Sequence, residues 1–206
     1  MTSLASVTLE VADPVAAESF HAAAFGLGTQ LRVRASQAPT TGFRGFTLSL
    51  TVSQPSTVNA LVEAALEAGA SPVKPVTKSF WGYGGVVRAP DGTLWKIATS
   101  AKKDKGPATR EIDRFVLLLG VEDVLASKRF YVDRGLVVGK SFGRKYVEFD
   151  MPSSPVALAL YGRRALAKDA GVPPEGTGSH RIVIDSDGGP FTDPDGFEWE
   201  KAQAPG

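Results

Sequence analysis

The chain contains no cysteine. That absence excludes disulfide scaffolds, thiolate-bound zinc, iron–sulfur clusters and thiol nucleophiles. An excess of one charge is also missing: 23 Lys and Arg stand against 22 Asp and Glu. No segment gathers enough basic side chains to neutralise a phosphate backbone, so nucleic acid is not an expected partner. The one short basic run, Lys102, Lys103 and Lys105, is interrupted by Asp104 and followed by Gly106-Pro107, as in a solvated linker. No window approaches 18 consecutive apolar residues, and the first residues show no basic stretch ahead of an apolar one. The expectation is therefore a protein without a membrane span or secretory signal, with the cytoplasm as its default location. Histidine is scarce, with only His21 and His180. Neither pairs with a nucleophile in a Ser-His-Asp pattern, and no Gly-Lys-Ser/Thr follows the glycines at 82–85 to make a phosphate loop.

What is present is an ordinary globular composition, 43% hydrophobic and 22% charged over 206 residues, enough for one large domain or two small ones. The chain also repeats itself. Near the start of each half an apolar strand leads to an Asp, an aromatic seven residues later, and a Gly-Leu. These are Val7–Val11, Asp13, Phe20 and Gly26-Leu27, then Phe115–Leu119, Asp123, Phe130 and Gly135-Leu136. Near the end of each half, Pro90-Asp91-Gly92 precedes Trp95, and Pro194-Asp195-Gly196 precedes Trp199. Pro-Asp-Gly is a turn signal because Pro presets φ, Asp bonds local backbone and Gly accepts positive φ. Two matches in the same order define a duplication, with a first domain at 1–100, a linker at 101–109 and a shortened second domain at 110–206.

Periodicity fills in the elements. Val7, Leu9 and Val11 alternate as a half-buried strand; Asp13 and Pro14 start a helix that runs to about Phe25. Phe46, Leu48, Leu50 and Val52 alternate again. Val58, Leu61, Val62, Ala65 and Leu66 form the apolar stripe of a helix lying on a sheet. The second half predicts a helix from Asp123 to about Arg134, strands near 137–138, 146–149 and 156–161, and a short helix at 163–170. Between Ile182 and Phe191 there is no room for a counterpart of the 56–68 helix.

An Asp-capped helix with an inward aromatic, a Gly-Leu, and a closing Pro-Asp-Gly strand resemble the glyoxalase / bleomycin-resistance / extradiol-dioxygenase superfamily, the vicinal oxygen chelate proteins. The residues that carry the likeness are Asp13, Phe20, Gly26-Leu27, Phe130-Tyr131, Gly135-Leu136, Pro90-Asp91-Gly92 and Asp193 to Glu200. The resemblance implies an α+β fold of tandem βαβββ modules, whose curled mixed sheets carry helices on the outer face. Enzymes of that superfamily hold a divalent metal with a His on the first strand, a His on a middle strand and a Glu on the closing strand, types that suit Zn, Ni, Fe or Mn. Carried onto the first half, those positions fall near Ser6, on Arg44 to Phe46, and on Lys96, none of which binds a metal in that way. In the second half they fall near Arg114, on His180 and on Glu200.

Two readings of the second half stay open. His180 and Glu200 could ligate a divalent metal, or they could form a hydrogen-bonded pair with Arg114 opposing Glu200. Lys96, inside a trough, would need either a neighbouring carboxylate or an anionic ligand. Rings on trough strands could stack on a planar ligand, although Trp95 and Trp199 alternate away from Lys96 and Glu200 and so belong under the helices. The candidate ligand contacts are Lys96, Trp81, Tyr83, Phe46, Arg114 and Tyr146. The expected partner is a small organic molecule bound without a cofactor, and a homodimer stays open. The rival readings are a metal-dependent lyase, isomerase or dioxygenase working from the second half, and a structural or dimerising module with filled troughs.

Overall fold

The computed structural model describes residues 3–80 and 82–202. Strand β1 (Leu4–Val11) buries Val7, Leu9 and Val11, as their alternation requires. Asp13 then caps helix α1 (Pro14–Ala24) by accepting the Ala16 amide at 3.0 Å, with Pro14 at the first helical position. The chain returns through β2 (Leu31–Ala35), parallel to β1, and the short β3 (Thr40–Gly42).

Two complete βαβββ units follow. The first is β4 (Phe46–Thr51), α2 (Pro55–Glu67), β5 (Ser71–Ser79), β6 (Gly82–Arg88) and β7 (Leu94–Thr99). The second is β8 (Arg114–Val121), α3 (Val124–Asp133), β9 (Val137–Phe142), β10 (Tyr146–Asp150) and β11 (Ala157–Gly162). The chain ends with α4 (Arg163–Ala170), β12 (Gly176–Gly178), β13 (Ile182–Ser186), β14 (Phe191–Thr192) and β15 (Glu198–Lys201). No helix separates β13 from β14, in keeping with the short spacing there.

The two complete units join into one eight-stranded sheet, β5-β6-β7-β4-β8-β11-β10-β9, through antiparallel pairing of β4 with β8. The remaining strands form a second sheet, β14-β15-β13-β1-β2, apart from a small β12-β3 pair. Both large sheets therefore take strands from either side of the 101–109 linker, and the sequence halves interleave in space. The reason lies in edge pairing. The β1–β2 pair and the β13–β15 group are each too small to satisfy their edges and bury a face alone, and joining them yields a five-stranded sheet.

The main apolar core draws on both sheets and contains Leu9, Leu48, Trp95, Leu117, Phe149, Ile184 and Trp199. Trp95 and Trp199 are 0% and 1% exposed. The linker is pinned rather than free. Gln54, itself buried, accepts the Lys105 amide at 2.8 Å and donates to the Pro107 carbonyl at 2.7 Å, while Asp104 accepts the Ser56 amide at 2.7 Å. Among the described residues no helix is long and apolar enough to cross a membrane.

Interleaving has a measurable consequence. Segments 1–100 and 110–206 expressed separately should each lack a cooperative thermal transition by circular dichroism, and mixing them should restore one. Two independent cooperative melts would show instead that each half closes its own core.

Candidate functional site

Register decides which residues reach the concave side of the curled sheet. In the eight-stranded sheet Ser49 lies opposite Lys96 on β7 and Val116 on β8, and Val116 lies opposite Ala157 on β11. Lys96, Ser49, Val116 and Ala157 thus form one row across the concave side. The alternate residues, Leu48, Leu50, Trp95, Ile97, Leu117 and Leu119, pack beneath the helices.

The same alternation relocates two predicted contacts. Phe46 shares its face with Leu48 and Leu50; it is 2% exposed in the core and only borders a small cavity beneath the turn at 89–92. Tyr83 lies opposite Thr99, on the face shared with Ile97, and its hydroxyl donates to Asn59 Oδ1 of α2 at 2.9 Å. Neither ring points to the concave side, because an odd-numbered step along a strand carries a side chain through the sheet, although Tyr83 still borders the cavity beside Lys96. Trp81 lies outside the described residues.

Lys96 does face inward, and it meets helix α4. This helix lies in the trough, with Leu166, Ala167 and Ala170 packed on Phe43, Val86 and Leu94. Its last turn brings Asp169 to Lys96, Nζ to Oδ2 at 2.6 Å, and the Asp169 carbonyl accepts Lys74 Nζ at 2.9 Å. Beside this junction is a cavity of about 280 Å³ bordered by Lys74, Thr77, Gly84, Lys96, Ala98 and Asp169. Two ammonium groups converge on one aspartate there, so the cavity carries excess positive charge.

Arg114 and Tyr146 are brought together further along the same face. Arg114 Nη1 donates to Glu148 Oε1 at 2.7 Å, and the Tyr146 hydroxyl donates to Glu148 Oε2 at 2.8 Å. Burial alone would raise the Glu148 pKa, but the Arg114 and Tyr146 bonds outweigh it and hold the carboxyl below its usual range. Burial and the adjacent carboxylate push the Tyr146 phenol well up. Tyr161 completes an edge-to-face pair with Tyr146 at 5.6 Å.

The five-stranded sheet has its own polar face. Ser6 and Thr8 hydroxyls both donate to Asp185 Oδ2 at 2.8 Å, and Arg34 bridges Glu10 and Glu200, with Nη1 contacting the two Glu200 oxygens at 2.9 and 3.1 Å. Burial opposes the charge on Arg34, and its two carboxylate partners more than restore it. His180 stands elsewhere. Its Nδ1 faces the Arg44 carbonyl, Nε2 faces the Asp195 carbonyl at 3.0 Å, and the ring stacks on Phe197 with centroids 4.0 Å apart.

The expected His180–Glu200 pair, with Arg114 opposing Glu200, is therefore replaced by three separate partnerships. Arg114 belongs to the eight-stranded sheet and Glu200 to the five-stranded one, so the two never share a face. A divalent metal does not fit these donors: both His180 nitrogens face carbonyls, and a guanidinium occupies the Glu200 carboxylate. Among the described residues no three His, Asp or Glu side chains converge as a metal set.

No protein-family model and no curated protein matches the sequence. Solved structures do match. Glyoxalase I from Zea mays shares 13% identity over 97% of this chain and 91% of its own, with a TM-score of 0.62. A point mutant of the same enzyme gives 14% identity over 96% and 92%, with a TM-score of 0.63. This chain has the glyoxalase fold. A glyoxalase/bleomycin resistance protein/dioxygenase family enzyme from Burkholderia phytofirmans aligns along 99% of its length with 48% of this chain, at 21% identity and a TM-score of 0.45. The resemblance to glyoxalase I is one of fold.

Sequence reasoning placed Lys96 in the trough and missed its partner Asp169, which is 73 residues away on the short helix expected at 163–170. Glu148 was open to discovery, since it stands two residues from Tyr146 on a strand and so shares its face. Replacing Glu148 by Gln should cost at most about 1 kcal/mol near neutral pH, because Arg114 is half-exposed. A lowered folded pKa contributes stability above the ordinary carboxylate pKa and loses it as pH falls through the folded value. The gap between wild type and Glu148→Gln in urea melts should therefore close as the pH drops below the usual carboxylate range.

Proposed function

We propose that the protein binds a small organic anion, without a metal ion, in the cavity between β5–β7 and α4. The observation that carries this reading is the convergence of Lys96 and Lys74 on Asp169 at the wall of an open cavity. Two cations sharing one aspartate leave a site that a ligand carboxylate or enolate would neutralise. Thr77 supplies a hydroxyl, and Ala98 and Gly84 leave a flat apolar floor for a carbon skeleton. The metal-dependent reading gains nothing from the donor sets, since both His180 nitrogens face carbonyls and Arg34 occupies Glu200.

A structural role is the second reading, and α4 favours it. The helix fills much of the concave side with Leu166, Ala167 and Ala170, leaving the Lys96 cavity to one side.

Calorimetric titration with a panel of small mono- and dicarboxylic acids separates the two. Saturable binding that weakens about tenfold or more in Lys96→Met supports a ligand site, since one hydrogen bond to a charged group contributes about 1.5–3 kcal/mol. Metal content of the purified protein should be equal in wild type and His180→Ala. Absence of binding by every acid, with an unchanged melting temperature in their presence, leaves the structural role.

A further inference from the structure

The turn at 89–92 holds a charge imbalance that the Lys96 cavity does not use. Beneath it lies a cavity of about 110 Å³ walled by Arg44, Arg88, Gly92, Thr93, Pro173 and Glu175. At about 30 Å³ per water it has room for roughly four waters, the scale of a small oxyanion.

Arg44 enters this cavity through the turn. Its Nη2 donates to the Asp91 carbonyl, and a Cβ on Gly92 would come within 2.8 Å of that nitrogen. Glycine is needed at 92 on a second count, because its φ is +87°. The other terminal nitrogen of Arg44, Nη1, is buried without a partner. Native proteins pair nearly all buried donors, and a guanidinium N–H is an expensive one to leave unmade.

No protein group supplies the missing charge. Asp91 attracts Arg44, but its Oδ2 faces His21 Nε2 at 3.3 Å and its Oδ1 accepts the Thr93 amide at 2.7 Å. Arg88 and Arg181 add like charge around Arg44, and burial further disfavours its charged form. Among the described residues none of these three arginines has an ion-pair partner within 4.0 Å, Glu175 included. Two guanidinium forks at a small void are a donor set that fits a phosphate or carboxylate group.

We propose that this cavity is an oxyanion site, in which Arg44 and Arg88 hold the phosphate or carboxylate group of a small ligand. The site is separate from the Lys96 cavity. The two use different stretches of β6 and β7, and Val86 and Leu94 pack under α4 from the shared strands. Glu175 would compete with the bound anion.

The test is an amide-shift titration of the full chain with inorganic phosphate, and separately with acetate, at constant ionic strength. Saturable shifts concentrated at residues 42–45, 88–93 and 172–175 are expected with at least one of the two, and whichever saturates identifies the head group. Arg88→Ala, which removes an exposed side chain, should weaken binding about tenfold. Glu175→Gln should tighten it, and Lys96→Met should leave it unchanged. The proposal is overturned if neither anion saturates, if Arg88→Ala binds as wild type does, or if Lys96→Met abolishes binding.

Discussion

The antiparallel pairing of β4 with β8 is the constraint on which the rest of the molecule depends. It runs from Phe46 opposite Leu119 to Thr51 opposite Arg114, and it fuses two βαβββ units into one curled sheet. By fixing that register it decides two faces at once. Phe46, Leu48, Leu50, Leu117 and Leu119 go to the helix side, while Ser49, Thr51, Val116 and Arg114 go to the trough. A slip of one residue would exchange the two sets and place charge in the core.

The second sheet is held to the first through the closing turns. Helix α1, which follows β1 of the five-stranded sheet, sets His21 against Trp95 of the eight-stranded sheet with centroids 5.5 Å apart. Helix α3, from the eight-stranded sheet, sets Tyr131 against Trp199 of the other at 5.4 Å. Each contact is anchored to a turn carboxylate: His21 Nε2 faces Asp91 and the Tyr131 hydroxyl donates to Asp193. Burial pushes the Tyr131 phenol well up and raises Asp193, whereas for Asp91 the His21 and Thr93 bonds outweigh burial and lower it. The repeated turn thus ties one sheet's helix to the other sheet's Trp, a cross-brace that a chain of separate halves would lack.

The troughs differ in how they settle their charges. In the five-stranded sheet Arg34 lies between Glu10 and Glu200, and Ser6 and Thr8 satisfy Asp185, so the polar face is closed on itself. The eight-stranded sheet keeps cations in excess, with Lys96 and Lys74 on one residue of α4 and Arg44 and Arg88 around a cavity of their own. Any small molecule that this glyoxalase-like fold accepts should therefore be sought on the eight-stranded side, where positive charge is uncompensated.

Local signals were legible in the chain itself. Alternation at Val7–Val11 and Phe46–Val52, the caps at Asp13 and Asp123, and the Pro-Asp-Gly turns depend on neighbours within a few residues, and each element appears where its pattern lies. Lys96 was readable as an inward cation for the same reason, and the period-two rule placed Trp95 beneath the helices. What the chain could not disclose was which strands would meet. His180 and Glu200 fit one site on paper, yet β13 pairs with β15 in a register that sets Glu200 opposite Asp185, well past His180, and the two side chains find backbone carbonyls and Arg34 instead. Likewise Asp169 reaches Lys96 only because α4 folds back into the trough. Partners far apart in sequence are chosen by edge satisfaction and burial summed over the whole molecule, and no local pattern encodes that sum.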